Sequence, residues 1–195
     1  AEAAFLLADE PFEHIDVAQR FVENSLPDVE PNTTIFADWE QATPFWYYQA
    51  AEGWRRDVNI VFPLELMNAD FVRERPAYIA RTYPSLAEPY RFSATGPLIR
   101  VSLQPSFDVP SHTTPVQIAW HDQGASKLEL IGYRLYNTQF TAGAVLPVGL
   151  HFRAVERMAA DYSVSVRLFA ADGAQVWQED RRHFALDMFP TSRWE

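Results

Sequence analysis

The sequence contains no cysteine, only 7 glycines and no long apolar run. Without cysteine, disulfides, thiolate zinc sites and cysteine nucleophiles are excluded, whereas the cellular compartment stays open. No G-x-G-x-x-G or P-loop occurs among the scattered glycines, so no phosphate cradle is predicted. No stretch approaches the roughly 18–20 consecutive apolar residues that a spanning helix needs. This chain is therefore not expected to cross a membrane by itself.

Basic residues are also few, with 16 Lys and Arg against 26 Asp and Glu and a formal net charge of −10. The electrostatic field of a chain with this negative charge repels phosphate backbones, so nucleic acid is not an expected partner. The chain is 48% hydrophobic and 14% aromatic, which is ample for one large or two small globular domains. It begins at Ala1 rather than Met, which suggests a fragment of a longer protein.

The first half alternates between strand and helix patterns. Strand patterns occupy residues 33–37, 57–62 and 76–80, and helix patterns occupy residues 11–26, 43–53 and 65–75. The central helix is expected to begin with Thr43 as N-cap and Pro44 as first helical residue, and to end at Gly53. This order predicts a small βαβ unit with three layers over residues 1–97, which closes with a proline-rich connection from residue 82.

After about residue 98 the pattern changes to apolar residues at every second position. The alternation covers residues 116–120, 150–154 and 162–168, as in half-buried strands. Its phase slips around Gly132, which predicts a β-bulge, and Asp172 with Gly173 predicts a hairpin turn. Residues 98–195 are therefore expected to form an antiparallel Ig-like β-sandwich. The predicted fold class is α/β plus all-β.

Residues with catalytic or metal-binding potential are dispersed along the chain. The histidines are His14, His112, His121, His151 and His183. None stands in an H-E-x-x-H or comparable spacing, and no G-x-S-x-G elbow occurs. We therefore predict no metal, no cofactor and no catalytic residue.

The densest feature is the aromatic segment 37–58, which supplies the ligand-binding candidates Asp38, Trp39, Glu40, Trp46 and Arg55. Asp38 and Glu40 follow a predicted strand at its carboxyl end, where open α/β sheets place ligands. Carboxylates beside indole rings are suited to binding a sugar, because the rings stack on it and the carboxylates accept hydrogen bonds from its hydroxyls. In the structural alternative, which we favour, Asp38 caps the turn, the aromatic residues fill the core and the seam between the two halves, and Arg55 or Arg56 pairs with acids.

The segment over residues 35–58, followed by Arg75 to Tyr78, resembles the tails of bacterial multi-spanning membrane proteins of the DUF2723 type. Those proteins are related to protein O-mannosyltransferases. The second half, with its Asp172-Gly173 turn and the final segment 190–194, is similar to the β-sandwich found at the end of such tails. The family's catalytic acids lie in loops between membrane helices that this chain lacks, so the resemblance carries over no catalytic residue.

The resemblance implies a non-catalytic, extracytoplasmic accessory module of a membrane glycosyltransferase-like protein. Its expected partners are the membrane-embedded part of the parent protein and a glycan or lipid-linked sugar, with the parent protein tethering the module to the membrane. A stand-alone carbohydrate-binding protein is the alternative from another class. A glycosidase is a third and weaker one, because it needs two carboxyl groups about 5–10 Å apart across a cleft.

Overall fold

The computed structural model describes residues 15–86, 89–122, 125–136, 146–181 and 188–194. These residues form three sheets and two α-helices, so the fold is mixed α/β and mostly sheet. None of the described helices is long and apolar enough to span a bilayer. The predicted helix over residues 11–26 is found as α1, Ile15–Ser25, and the part before residue 15 lies outside the described residues.

The first sheet has five strands in the order β2-β1-β3-β5-β4. Its strands are β1 (Thr34–Phe36), β2 (Asn59–Val61), β3 (Ala77–Ile79), β4 (Arg91–Thr95) and β5 (Leu98–Ser102). β1 lies between β2 and β3 and is parallel to both, whereas β5 is antiparallel to β3 and to β4. The three strands predicted in the first half are therefore confirmed as neighbours in one sheet.

The helix between β1 and β2 begins earlier than predicted. This helix, α2, spans Trp39–Tyr47 and continues as a π-helical turn, Tyr48–Glu52. It begins at Trp39 because the backbone N–H groups of Gln41 and Ala42 already donate to the carbonyl of Asp38. Thr43 and Pro44 therefore lie inside the helix, and the predicted start was wrong. The predicted end at Gly53 is confirmed, since its φ of 73° terminates the helix.

Two further predictions for the first half are corrected. Residues 65–75 form two short 3-10 turns, Leu64–Leu66 and Ala69–Val72, because the side chain of Asn68 accepts a hydrogen bond from the Asp70 backbone and starts a new turn. The connection predicted over residues 82–97 contains β4, which pairs with β5 across a tight turn at Gly96. The expected boundary between residues 97 and 98 thus falls inside a β-hairpin.

The second half supplies the other two sheets. One contains β6 (Thr114–Asp122), β7 (Ala125–Leu135) and β8 (Val148–Ala154) in that order, and the other pairs β9 (Val164–Phe169) with β10 (Gln175–Arg181). The β-bulge is confirmed by the register shift between Leu130 and Gly132. The hairpin turn is confirmed by Gly173, whose φ is 86° and whose N–H donates to the Ala170 carbonyl.

One apolar core joins the two halves. Phe36, Leu64 and Ile79 of the first half are buried in the same cluster as Leu128 and Trp194 of the second. The other cluster lies between the helices and the opposite face of the first sheet and includes Phe45 and Ile35. The first sheet therefore carries a core on each face, so side chains near this sheet reach solvent at its edges.

Candidate functional site

The carboxyl ends of three parallel strands bring distant residues to one edge of the first sheet. Asp38 follows β1, Phe62 follows β2 and Arg81 follows β3. Because parallel strands point the same way, the residues that follow them lie at the same edge, which is where open α/β sheets bind ligands.

An ion-paired group, which we call the acid-arginine strip, consists of Asp38, Glu65 and Arg81. The Arg81 Nε donates to the Asp38 carboxylate, and Nη2 donates to Glu65 Oε1 at 3.3 Å. The hydrogen bond to Asp38 raises the pKa of Arg81. All three side chains remain partly exposed, so solvent screens the pairs and the strip contributes little stability. Its polar atoms are consequently accessible to a ligand.

Beside the strip lies a group of touching rings, the aromatic surface, formed by Trp39, Trp46 and Phe62. The ring centroids of Trp39 and Trp46 are 6.1 Å apart and those of Trp39 and Phe62 are 5.7 Å apart, both in edge-to-face geometry. Trp39 and Trp46 share one side of α2 because they are about two helical turns apart. Trp39 is 60% exposed and Trp46 is 36% exposed. These large apolar rings therefore face solvent at the end of the sheet.

The structure brings some of the sequence-predicted candidates together. Asp38, Trp39 and Trp46 meet at this edge, and Glu40 is exposed in the first turn of α2. Asp38 occupies the N-cap position of α2, as the capping interpretation expects, but it caps through its backbone carbonyl, while its carboxylate binds Arg81.

Arg55 is not brought to the same edge. It precedes β2, so it lies near the amino ends of the parallel strands. Its guanidinium donates to the carbonyls of Leu26 and Val29 and to the Asp57 carboxylate. The hydrogen bond from Arg55 lowers the pKa of Asp57 to about 2. Arg55 thus anchors the segment before β1, in keeping with the pairing to acids expected of it.

The prediction that the aromatic residues of this segment fill the core holds for only some of them. Phe45 is fully buried, and Trp54 is partly buried and stacks on Tyr48 with centroids 4.8 Å apart. For Trp39 and Trp46 the prediction was wrong. A nine-residue helix that covers one face of a sheet can bury only the stripe that faces it, and these two indoles lie outside that stripe.

Three residues of the site were missed by sequence reasoning, namely Phe62, Glu65 and Arg81. A usable signal existed, because Phe62 ends the second predicted strand and Arg81 follows the third, just as Asp38 follows the first. Among the described residues, no group of three or more His, Asp or Glu side chains is placed to hold a metal ion. No protein-family model, curated protein or solved structure gives a significant match to this chain.

Proposed function

We propose that this chain is a non-catalytic binding module whose aromatic surface and acid-arginine strip hold a glycan. The observation that carries the proposal is the exposure of Trp39 between two other rings, directly beside the strip. Sugars stack their apolar faces on exposed aromatic rings, while their hydroxyls bond to charged groups at the edge of the ring. Both kinds of group are present at the carboxyl ends of β1 to β3.

We extend the proposal with the family resemblance. On that basis the module is an extracytoplasmic accessory part of a membrane glycosyltransferase-like protein, and the glycan is the acceptor or the lipid-linked sugar of that protein. The membrane-embedded part of the parent is then the module's macromolecular partner. The stand-alone carbohydrate-binding protein is the second candidate, since it uses the same surface. The parent reading frame separates them, because many upstream hydrophobic spans favour the accessory module and a secretion signal alone favours the stand-alone protein.

A glycosidase has no comparable support. It requires one carboxyl group free to protonate the leaving group and a second one across a cleft. Asp38 and Glu65 are instead both bonded to the same guanidinium, on a partly exposed strip.

We also propose the finer architecture. β1, α2 and β2 form the βαβ unit with three layers, and the two sheets of the second half form an Ig-like sandwich. Parallel pairing of β1 with β2 supports the first part, and the packing of Leu128 and Val164 on the same core supports the second. An experimental structure in which those two sheets do not face each other would refute the sandwich.

The binding proposal is tested by glycan-array screening followed by calorimetric titration of any hit. Trp39→Ala should weaken binding at least about tenfold, because the central ring of the surface is removed. Trp177→Ala is the matched control, since Trp177 is also exposed, at 49%, but lies on β10. No glycan binding by the wild type, or equal loss in both folded variants, would refute the proposed function.

A further inference from the structure

A second cleft lies between the two halves, away from the carboxyl ends of the parallel strands. Its walls are the β4–β5 hairpin, the loop over residues 105–109, β8 and the end of the described chain. The space inside it is about 90 Å³, and the cleft is open to solvent. This volume exceeds what a single water needs, and the open mouth leaves room for a ligand that extends beyond it.

Two guanidinium groups line this cleft from different sheets. Arg91 comes from β4 and Arg153 from β8, and Asp108 is the one acidic residue among the described lining residues. Arg153 donates from Nη2 to Glu129, and its other N–H groups leave capacity for a second acceptor because a guanidinium has five donors. The side chain of Arg153 is half exposed, so a ligand can reach it.

The rest of the wall is apolar and aromatic. Phe92, Phe152, Phe189 and Trp194 line the interior. Phe107 stands at the rim on the loop and is 68% exposed. His151 also lines the cleft, and burial lowers its pKa to about 4, so it is uncharged near neutral pH and adds no positive charge. The walls therefore combine two guanidinium groups with flat apolar faces.

We propose that this cleft binds a small organic anion with a flat apolar body, in which a carboxylate or phosphate group lies between Arg91 and Arg153. The apolar body packs against Phe92 and Phe152, and Phe107 covers it at the mouth. Guanidinium groups are the side chains best suited to such oxyanions, because they donate two parallel hydrogen bonds. This site is independent of the proposed glycan surface, so either can fail without the other.

The test is calorimetric titration of the intact chain with four probes, namely benzoate, phenyl phosphate, inorganic phosphate and benzyl alcohol. Saturable binding of benzoate or phenyl phosphate is expected, with the preference between them showing which oxyanion the cleft takes. Inorganic phosphate should bind at least about tenfold more weakly, and benzyl alcohol should not bind, because each lacks one of the two required parts. The absence of binding by both aromatic anions, or equal binding of inorganic phosphate, would overturn the proposal.

Substitutions of the lining residues test whether the anion binds in this cleft. Arg91→Gln and Arg153→Gln should each weaken binding at least about tenfold, whereas Arg157→Gln, an exposed arginine just beyond β8, should leave it unchanged. Circular dichroism checks the fold of each variant. Phe107→Ala provides an independent reading, since truncation of an exposed side chain should preserve folding yet weaken the aromatic anions several-fold. Unchanged binding in Phe107→Ala and in both folded arginine variants would refute the site.

Discussion

Acid should destabilise the protein through one buried histidine, His151 on β8. Its side chain is buried and its ring nitrogen lies 3.2 Å from the Thr113 hydroxyl. Burial is the main reason why its pKa falls from 6.5 to about 4. Between these values the unfolded chain binds a proton that the folded chain does not, so the free energy of unfolding must fall as the pH falls. Above the unfolded pKa both states are neutral, and His151 then has no effect on the pH dependence.

The magnitude follows from the two pKa values. One proton taken up only by the unfolded state is worth about 1.4 kcal/mol per pH unit, so the loss between about pH 7 and about pH 4.5 is about 2.5 kcal/mol. The contribution from Asp57 is separate. Its pKa is about 2 in the folded state and 3.8 in the unfolded state, so the stability that it provides is lost only at lower pH. The window between about pH 6.5 and about pH 4.5 therefore separates the contribution of His151 from that of Asp57.

Urea unfolding at a series of pH values measures this slope. His151→Gln should flatten it in that window whatever the variant's stability at neutral pH, since glutamine does not titrate. His121→Gln, at an exposed position of β6, is the control for replacing a histidine with glutamine outside the buried site. If the curves of the wild type and His151→Gln run parallel within about 0.5 kcal/mol, the buried neutral histidine is not the cause and the reasoning fails.

Three further experiments test the packing. Phe45→Ala should cost about 3–5 kcal/mol through the cavity it leaves, whereas Trp39→Ala removes only two ring contacts at the surface and should cost about 1–2 kcal/mol; chemical denaturation will distinguish the two. Asp28→Asn removes one charge of the buried ion pair with Arg134, whose two side chains are only 3% and 13% exposed, and should lower the free energy of unfolding by about 3–5 kcal/mol. Asp70→Asn, in an exposed ion pair, should lower it by less than about 1 kcal/mol, and equal effects of the two substitutions would contradict this. Gly132→Ala should lower the melting temperature by the equivalent of about 1–3 kcal/mol, because the added Cβ would lie 2.2 Å from a side-chain methyl carbon of the neighbouring segment; an unchanged melting temperature would refute the close approach.

The parts of the fold that were predictable from the sequence are those set by neighbouring residues. The strand of residues 34–36 follows from a short buried apolar run, and the helix end at Gly53 follows from its left-handed backbone. The bulge at Gly132 follows from a slip in alternation. The prediction of a helix over residues 65–75 was wrong. The apolar spacing is compatible with a helix, but the local hydrogen bond at Asn68 favours separate turns.

The candidate site was only half predictable, because its parts are far apart in the sequence. Asp38 and Arg81 are 43 residues apart, and their contact depends on β1 and β3 being adjacent parallel strands. The order of strands in a sheet is not written in any local pattern. The strand ends could nevertheless be enumerated, and pairing the residues that follow each predicted strand would have placed Arg81 beside Asp38 as one of few possibilities.

The start of α2 explains why the exposed rings of the aromatic surface lie where they do, and it distinguishes Trp39 from the exposed Trp177. Because α2 begins directly after β1, Trp39 emerges at the sheet edge and is held by edge-to-face contacts with Trp46 and Phe62. In the described part of the chain Trp177 is exposed without such a ring contact. A ring already fixed by its neighbours loses less conformational freedom when a ligand stacks on it. Binding should therefore depend on Trp39 far more than its exposure alone would imply.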